Sequence, residues 1–389
     1  MSNNFKMIAK TLYGLEDVLA KELVQLGAMN VSKGNRLVSF EGDKGFMYKA
    51  NLSLRTALRI LKPIYDFRAR NEETLYSIIK KFDWERFMRV DDTFYIESTI
   101  FSDHFKHSQY VALKMKDAIV DRFREIHNRR PSIDKDHPNV RLFIHIDRDK
   151  VSISLDSSGD SLHKRGYRFA TNIAPMNEVL AAGSILLSGW TGDQDFLDPM
   201  CGSGTIPIEA AMIACNIPPN INRKEFGFEK WSDWDEDLFE VIEESVLKKI
   251  KELNVSIIGY DKSPSAIQKA KENTRNANLS DFISYKNIDF FKTNKDKPEK
   301  SLHMVFNPPY GERIAINMEE FYSNLGDTLK QSYPSTNSWF ITSNLEAIKH
   351  VGLKPSRKIK LFSGKLEGRL VKYEMYAGTK KVHKRKEES

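Results

Sequence analysis

The chain has 389 residues, 40% hydrophobic and 29% charged, with 60 Lys and Arg against 53 Asp and Glu for a formal charge of +7. That length holds two or three domains and enough apolar residues to bury their cores, which excludes whole-chain disorder. The 20 Gly and 14 Pro exclude collagen-like and low-complexity architectures, and two cysteines, Cys201 and Cys215, make neither a disulfide scaffold nor a zinc ribbon, so a reducing compartment is expected.

Met1 to Leu15 carries Lys6 and Lys10 among polar residues, and Glu16 and Asp17 stand where a signal peptide would continue its apolar core, so no export is expected. Phe5–Lys10 reads as a strand, Leu15–Leu26 as an amphipathic helix stopped by Gly27, and Arg36–Phe40 as a strand. Gly45–Asn51 and Ser53–Leu61 read as helix and strand. A second small α+β unit follows: helix Glu72–Lys80, strand Thr93–Ile100, a long helix Gln109–Asn128 with Val111, Met115, Ala118, Ile119 and Phe123 near helical spacing, and strands Val140–Asp147 and Val151–Leu155. Pro131 to Pro138 is the turn-rich connection. The longest apolar stretch, Val179–Trp190, is broken by Ser184 and Ser188 and is far short of the ~20 residues a bilayer requires, so the reading is a soluble cytoplasmic protein with no membrane partner.

Residues 1–170 hold 30 Lys and Arg against 23 Asp and Glu, whereas residues 171–389 hold 30 of each, so the whole excess lies in the first half. A polyanion-binding module joined to a neutral catalytic module has this asymmetry, as does a solvated basic surface without a partner. From Gln194 the pattern becomes regular strand–helix alternation, the mark of a parallel sheet covered by helices. Seven strands are expected, at Phe196–Met200, Ser256–Tyr260, Ile283–Ile288, His303–Phe306, Ser338–Thr342, Lys358–Leu361 and Leu370–Tyr376, the last two as an antiparallel pair. Helices are expected at Thr205–Ala214, Ser265–Ala277 and Glu319–Ser332. Residues 216–253 read as a charge-rich insertion holding Trp231 and Trp234, and 379–389 as a basic tail.

The strongest local signals follow the strands. Asp195-Phe-Leu-Asp-Pro-Met-Cys-Gly-Ser-Gly-Thr205 runs from an apolar strand through Gly202 and Gly204 into a helix, where glycines admit close backbone approach and the helix start offers free N–H groups. No Gly-Lys-Ser/Thr follows, so this is not a phosphate-binding Walker loop. Asp261 closes Ile257-Ile-Gly-Tyr-Asp261 and can accept from both ribose hydroxyls of a nucleotide-type cofactor; before Ser263-Pro264 it is equally placed to cap the next helix. Asp289 closes the next strand and can accept from an adenine amino group. The fourth strand ends in Val305-Phe-Asn-Pro-Pro-Tyr-Gly-Glu-Arg313. Pro308 and Pro309 fix the backbone so that the Asn307 side-chain oxygen and the Pro308 carbonyl can converge on one planar amine, and Tyr310 offers a ring for stacking a base. Cys201 sits in the glycine loop, away from that segment, and reads as packing rather than as a nucleophile. The histidines of the first half, His104, His107, His137 and His145, lack ligand spacing, so no metal is expected.

These residues resemble the class I S-adenosylmethionine-dependent methyltransferases and, within them, the THUMP-domain RNA guanine-N2 methyltransferases of the bacterial large-subunit rRNA type. The resemblance covers nearly the whole chain, from Thr11-Leu-Tyr-Gly-Leu-Glu16 through Gly159-Asp-Ser-Leu-His-Lys-Arg-Gly-Tyr-Arg168 and Ala174-Pro175 to the glycine loop and Asn307-Pro-Pro-Tyr-Gly-Glu-Arg313. It implies that Asp198, Pro199, Gly202, Ser203, Gly204 and Thr205 hold the methionine side of S-adenosylmethionine, with Asp261 on the ribose and Asp289 on the adenine, and that Asn307 to Tyr310 clamp the target base. It implies an α/β fold: a ferredoxin-like unit (1–60) and a THUMP unit (61–155) that hold structured RNA, a linker (156–172) and a seven-stranded Rossmann-like methyltransferase domain (173–378). Lys164, Arg165 and Arg168 then become RNA-backbone contacts. Some relatives carry a second methyltransferase domain, and one domain here implies a single modification, on 23S rRNA or a large-subunit precursor. Two rivals stand beside this reading: adenine-N6 methylation of nucleic acid, which uses the same clamp, and a non-catalytic RNA-binding assembly factor. A chain lacking residues 1–155 is expected to remain a folded, cofactor-binding domain.

Overall fold

The computed structural model describes residues 4–168, 176–309, 317–363 and 366–376. In chain order the first half forms β1 (Phe5–Lys10), α1 (Glu16–Leu26), β2 (Met29–Gly34), β3 (Leu37–Gly42), α2 (Lys44–Ser53), β4 (Arg59–Arg68), α3 (Glu72–Lys81), β5 (Thr93–Phe101), α4 (Ser108–His127), β6 (Ser132–Ile133), β7 (Val140–Asp147) and β8 (Lys150–Asp156). All eight strands join one sheet in the order β2-β3-β1-β4-β8-β7-β5-β6. β4 is the seam: Leu61 pairs with Ile8 of β1 and Tyr65 with Ile153 of β8. The two small units expected from the sequence therefore share one sheet and one continuous core.

Local chemistry explains most element ends. Gly27 stops α1 with φ 102, donating its N–H to the Leu23 and Val24 carbonyls, and the Asp43 carboxylate caps α2 through the Phe46 N–H at 2.7 Å. The predicted apolar face of α4 is buried as Val111, Met115, Ala118, Ile119 and Phe123. Two expectations are corrected. Leu52, Leu54, Leu58 and Ile60 alternate as a strand would, yet α2 persists to Ser53 and the strand begins only at Arg59. β2 escaped notice because it is a sheet edge whose residues have no buried face for alternation to record.

The second half adds α5 (Glu178–Ser188), β9 (Asp195–Asp198), α6 (Thr205–Ala214), α7 (Glu236–Leu247), β10 (Ile257–Asp261), α8 (Pro264–Asn276), β11 (Ile283–Asn287), β12 (Leu302–Phe306), α9 (Met318–Ser332), β13 (Thr336–Thr342), β14 (Arg357–Ser363) and β15 (Leu366–Met375). All seven expected strands are present in one sheet, ordered β11-β10-β9-β12-β13-β15-β14. The first five in that order run parallel, and β15 lies antiparallel between β13 and β14. The order reverses at β9 and β12, so the crevice beyond their carboxyl ends is where such a sheet receives a ligand. Among the described residues no helix is long and apolar enough to cross a membrane, and no cluster of His, Cys, Asp and Glu could hold a metal ion.

The insertion at 216–253 belongs to the core of the first half. Phe226, Phe228, Trp231 and Val246 are buried there. Tyr48 of α2 meets Phe228 at 4.5 Å and Trp234 at 5.2 Å between ring centroids, and the Asp235 N–H donates to its hydroxyl. Leu15 reciprocates from the first half, buried in the second core beside α5. The expectation that residues 156–389 fold alone therefore gives way. Without the first sheet, Phe226, Phe228 and Trp231 would face water, and truncating one such ring typically costs 3–5 kcal/mol, roughly half of a domain's stability. A chain beginning at residue 156 should aggregate or lose its cooperative unfolding transition, and Phe228→Ala in the full chain should lower stability by about 3–5 kcal/mol in urea titration. A monomeric, cooperatively melting truncation would refute the shared core.

Candidate active site

Four neighbouring strands end at one edge. β9 delivers Asp198, which is 1% exposed and accepts the Met200 N–H at 3.0 Å. The loop after it is stitched to the end of β10: the Cys201 N–H donates to the Tyr260 carbonyl at 2.8 Å and the Gly202 N–H to Asp261 Oδ2 at 3.0 Å. The Ser203 carbonyl accepts from Asn273 Nδ2 of α8 at 3.0 Å. Gly204 has φ +84, and a Cβ there would stand 2.7 Å from the Tyr285 hydroxyl and 3.1 Å from Ala270, so glycine is required by conformation and by space together. Thr205 then opens α6.

Asp261 does not cap the next helix, whose N-cap is Ser263 with its hydroxyl accepting the Ala266 N–H at 3.4 Å. Its Oδ1 accepts the Ser263 N–H at 2.8 Å, fixing the turn before that helix, while Oδ2 braces Gly202, and a carboxylate has further lone pairs for hydroxyl donors. Asp289 caps a short turn at Phe290–Lys292 through the Phe291 N–H at 3.1 Å. The Ile288 N–H and Asn287 Nδ2 both donate to the Asp261 carbonyl, binding the ends of β10 and β11 together. Pro199 and Pro308 are buried, and Pro309 is half-buried. Beyond β12 the Asn307 side-chain oxygen is buried with no hydrogen-bond partner among the described residues. Tyr310, Gly311 to Arg313, Ala174, Pro175 and the tail at 379–389 lie outside the described residues.

Charge here is unbalanced. Burial, helped by the neighbouring Asp261 charge, pushes the Asp198 carboxyl well above its usual range, and neither acid has a cationic partner among the described residues. Burial likewise holds the Cys201 thiol far above its usual range, with Asp198 and Asp261 adding to it, which fits packing rather than nucleophilic chemistry.

Two of the three expected RNA contacts are corrected. Arg165 is 1% exposed: it donates to the Arg55 carbonyl at 2.5 Å and the Leu162 carbonyl at 2.9 Å and pairs with the equally buried Glu209 at 3.4 Å. It cannot meet a phosphate because its donors are spent inside the protein. Arg168 is nearly buried, donating to Thr205 Oγ1 at 2.7 Å and the Met176 carbonyl at 3.0 Å and pairing with Glu178 at 3.1 Å. It braces the first residue of α6. Only Lys164 is exposed, in a surface pair with Asp160. Sequence reasoning missed Glu178 and Glu209, although Glu209 had a signal: it is the one charged residue in Thr205-Ile-Pro-Ile-Glu-Ala-Ala-Met212, a helix otherwise apolar on every side.

Comparison with known proteins agrees with this geometry. Residues 165–372 match the family described as RMKL-like, methyltransferase domain; residues 69–156 match the THUMP domain and residues 6–61 the RlmL ferredoxin-like domain. The ribosomal RNA large subunit methyltransferase K/L of Syntrophotalea carbinolica is 36% identical over 96% of this chain, which spans 54% of that relative's length. A Synechocystis protein described as "Putative RNA methyltransferase slr0064" is 35% identical over 93% of this chain and 95% of its own. Among solved structures, SMU.472, described as "a putative methyltransferase complexed with SAH", superposes with a TM-score of 0.85 at 30% identity, covering 97% of this chain and 100% of its own. A Listeria monocytogenes protein described as a predicted N6-adenine-specific DNA methylase superposes with a TM-score of 0.84 at 31% identity, over 96% of each chain.

Glu178 gives the site's brace a pH dependence. Burial outweighs the attraction of Arg168 and raises its carboxyl to about 7. Since the unfolded chain releases this proton near the ordinary carboxylate value of about 4.3, the folded state holds the extra proton between there and about 7, and stability falls as pH rises through that window. Urea unfolding from pH 5 to 8 should show the wild type losing ground to Glu178→Gln as pH rises, levelling above pH 7; a constant difference would contradict the raised carboxyl.

Proposed function

The chain belongs to the RMKL-like methyltransferase-domain family, and on that premise we propose that it transfers a methyl group from S-adenosylmethionine to the exocyclic N2 amine of a guanine in structured RNA, 23S rRNA or its large-subunit precursor. The observation that carries the reading is the Asn307 side-chain oxygen, buried and without a hydrogen-bond partner among the described residues at the carboxyl end of β12, the strand that pairs with β9. A buried acceptor left unmade costs about 1–3 kcal/mol, a cost a folded chain keeps where a guest's N–H will meet it.

The residues present fit the cofactor. Asp198 and Asp261 stand without a cationic partner among the described residues beside the start of α6, where a cationic, hydroxyl-bearing ligand would complete them. When bound, S-adenosylmethionine supplies an electrophilic methyl group on a sulfonium. Asp198, Pro199 and Gly202 to Thr205 hold its amino-acid end, Asp261 accepts from the ribose hydroxyls and Asp289 from the adenine amine. Asn307 Oδ1 and the Pro308 carbonyl accept the two N–H bonds of the target amine, orienting its lone pair, which conjugation with the ring otherwise withholds. As the nitrogen becomes positive these oxygens stabilise its protons, and one proton leaves to water, so no strong base is needed. The THUMP-matched residues 69–156 hold the RNA.

The resemblance to a protein described as an N6-adenine methylase keeps adenine as a second reading, because adenine presents the same kind of amine to the clamp. Incubating the protein with rRNA and methyl-labelled cofactor and resolving the digested nucleosides should yield N2-methylguanosine; N6-methyladenosine alone would transfer the assignment to adenine. Asn307→Ala should lower kcat on the order of 10²-fold while leaving cofactor and RNA affinity nearly unchanged, since it acts on charge that develops during transfer. An equal loss of cofactor affinity would remove Asn307 from the clamp.

A further inference from the structure

Two clefts of about 450 and 810 Å³ share Asp136, His137, Arg141, Asp160 and Lys164 among their lining residues and so make one groove. It starts at Tyr95 and Arg141 on β5 and β7, passes the segment 159–168 and the insertion at 222–230, and ends at Arg168 and Glu178, one hydrogen bond from Thr205 of the glycine loop. Its lining holds eight Lys and Arg against five Asp and Glu.

The groove is rigid. Arg223 grips the connecting segment through four carbonyls, those of Ser161 (3.1 Å), Lys164 (2.8 Å), Ser158 (3.2 Å) and Asp160 (2.9 Å). At Gly166 any Cβ would stand 2.0 Å from the Asn222 carbonyl oxygen. Three donors of its lining residues, Arg141 Nε, Asn222 Nδ2 and Arg223 Nε, are buried without a hydrogen-bond partner among the described residues. Buried donors left unmade are costly, and anionic oxygens satisfy them best. At the rim, Lys224 is exposed with no acidic partner among the described residues, and Lys164 holds only Asp160, an exposed pair worth about 0–1 kcal/mol that a phosphate could displace. At the far end Tyr95 is half-buried with the Arg141 guanidinium 5.6 Å from its ring, a surface on which an unpaired base can stack.

We propose that this groove is the track for the single-stranded RNA segment flanking the target nucleotide, leading its backbone from the THUMP sheet along Lys164 and Lys224 of the insertion to the glycine loop. A polyanion rather than one small anion fits because the cations are spaced along the groove from one module to the other. The assignment rests on the reading of the substrate as RNA and gives the insertion a role beyond packing: one wall of the path.

The test measures binding of a fluorescently labelled single-stranded 12-mer RNA across a salt series, with cofactor affinity by calorimetry as a check on folding. Each phosphate contact on a single strand contributes a slope of about −0.7 in log K against log salt, so Lys164→Ala/Lys224→Ala should flatten the slope by about 1.4 and weaken binding roughly tenfold near 0.1 M salt. Lys349→Ala, an exposed lysine outside the groove lining, should change neither. Wild-type slope and affinity in the double variant, or no binding of the 12-mer by the wild type, overturns the track. Competition by inorganic phosphate as effective, per phosphate, as the 12-mer would overturn it in favour of a small-anion site. Methyl incorporation into rRNA by the wild type is read separately, so the track can fail while the methyl-transfer reading stands.

Discussion

The molecule depends on a buried charge network where its two halves meet. Arg165 and Glu209 pair without solvent, Arg55 reaches the Met212 and Ile217 carbonyls at the end of α6, and Glu22 of α1 accepts from the Arg55 and Thr56 backbone N–H groups at 2.9 and 3.1 Å. Burying ions costs several kcal/mol each, and removing one partner of such a pair strands the other at about 3–5 kcal/mol. The network holds only in a single geometry, with Glu209 facing the Arg165 guanidinium and Glu22 facing the backbone N–H groups of Arg55 and Thr56. Stability is not its main yield, since apolar residues would pack as well; what it enforces is the placement of α1, the connecting segment and α6 relative to one another.

That placement reaches the chemistry through α6. The helix starts at Thr205, held by Arg168, carries Glu209 one turn further in, and ends where Arg55 takes its carbonyls. The glycine loop is therefore anchored by the connecting segment at its helix end and by β10 and α8 along its backbone. A loop that must present N–H groups to a cofactor gains from being over-determined, because a bound ligand then does not have to supply ordering entropy. The same bracing makes the connecting segment a poor hinge: Gly159 and Gly166 exist because the insertion's backbone passes too close for a Cβ.

The central strands β9 and β12 were legible because parallel strands buried on both faces appear as continuous apolar runs, and their ends were legible because Asp198 and Asn307 interrupt those runs where the chain leaves the core. The edge strand Met29–Gly34 left no pattern, having no buried face. Arg165 and Arg168 misled because a basic run is ordinarily solvated, and nothing within Lys164-Arg-Gly-Tyr-Arg168 itself shows that later acids, Glu178 and Glu209, are waiting for two of its cations. Gly166 within that run was the overlooked clue. The insertion's aromatics were noticed as tryptophans without a destination, since which core they enter depends on contacts with Tyr48, some 180 positions away.

That the Asn307 oxygen meets no partner among the described residues follows from where β12 lies. That strand sits at the centre of its sheet, between β9 and β13, with Val305 and Phe306 fully buried just before the asparagine. Two prolines follow, so the backbone that carries the carboxamide has few conformations in which to turn its oxygen back toward a protein donor. An edge strand with a flexible exit would relax and satisfy that oxygen within the chain, lowering its energy and blunting its chemistry. Among the described residues the acceptor stays unmet, at a cost of about 1–3 kcal/mol, and unmet polarity held in place is the form in which a folded chain stores selectivity for a guest it does not yet hold.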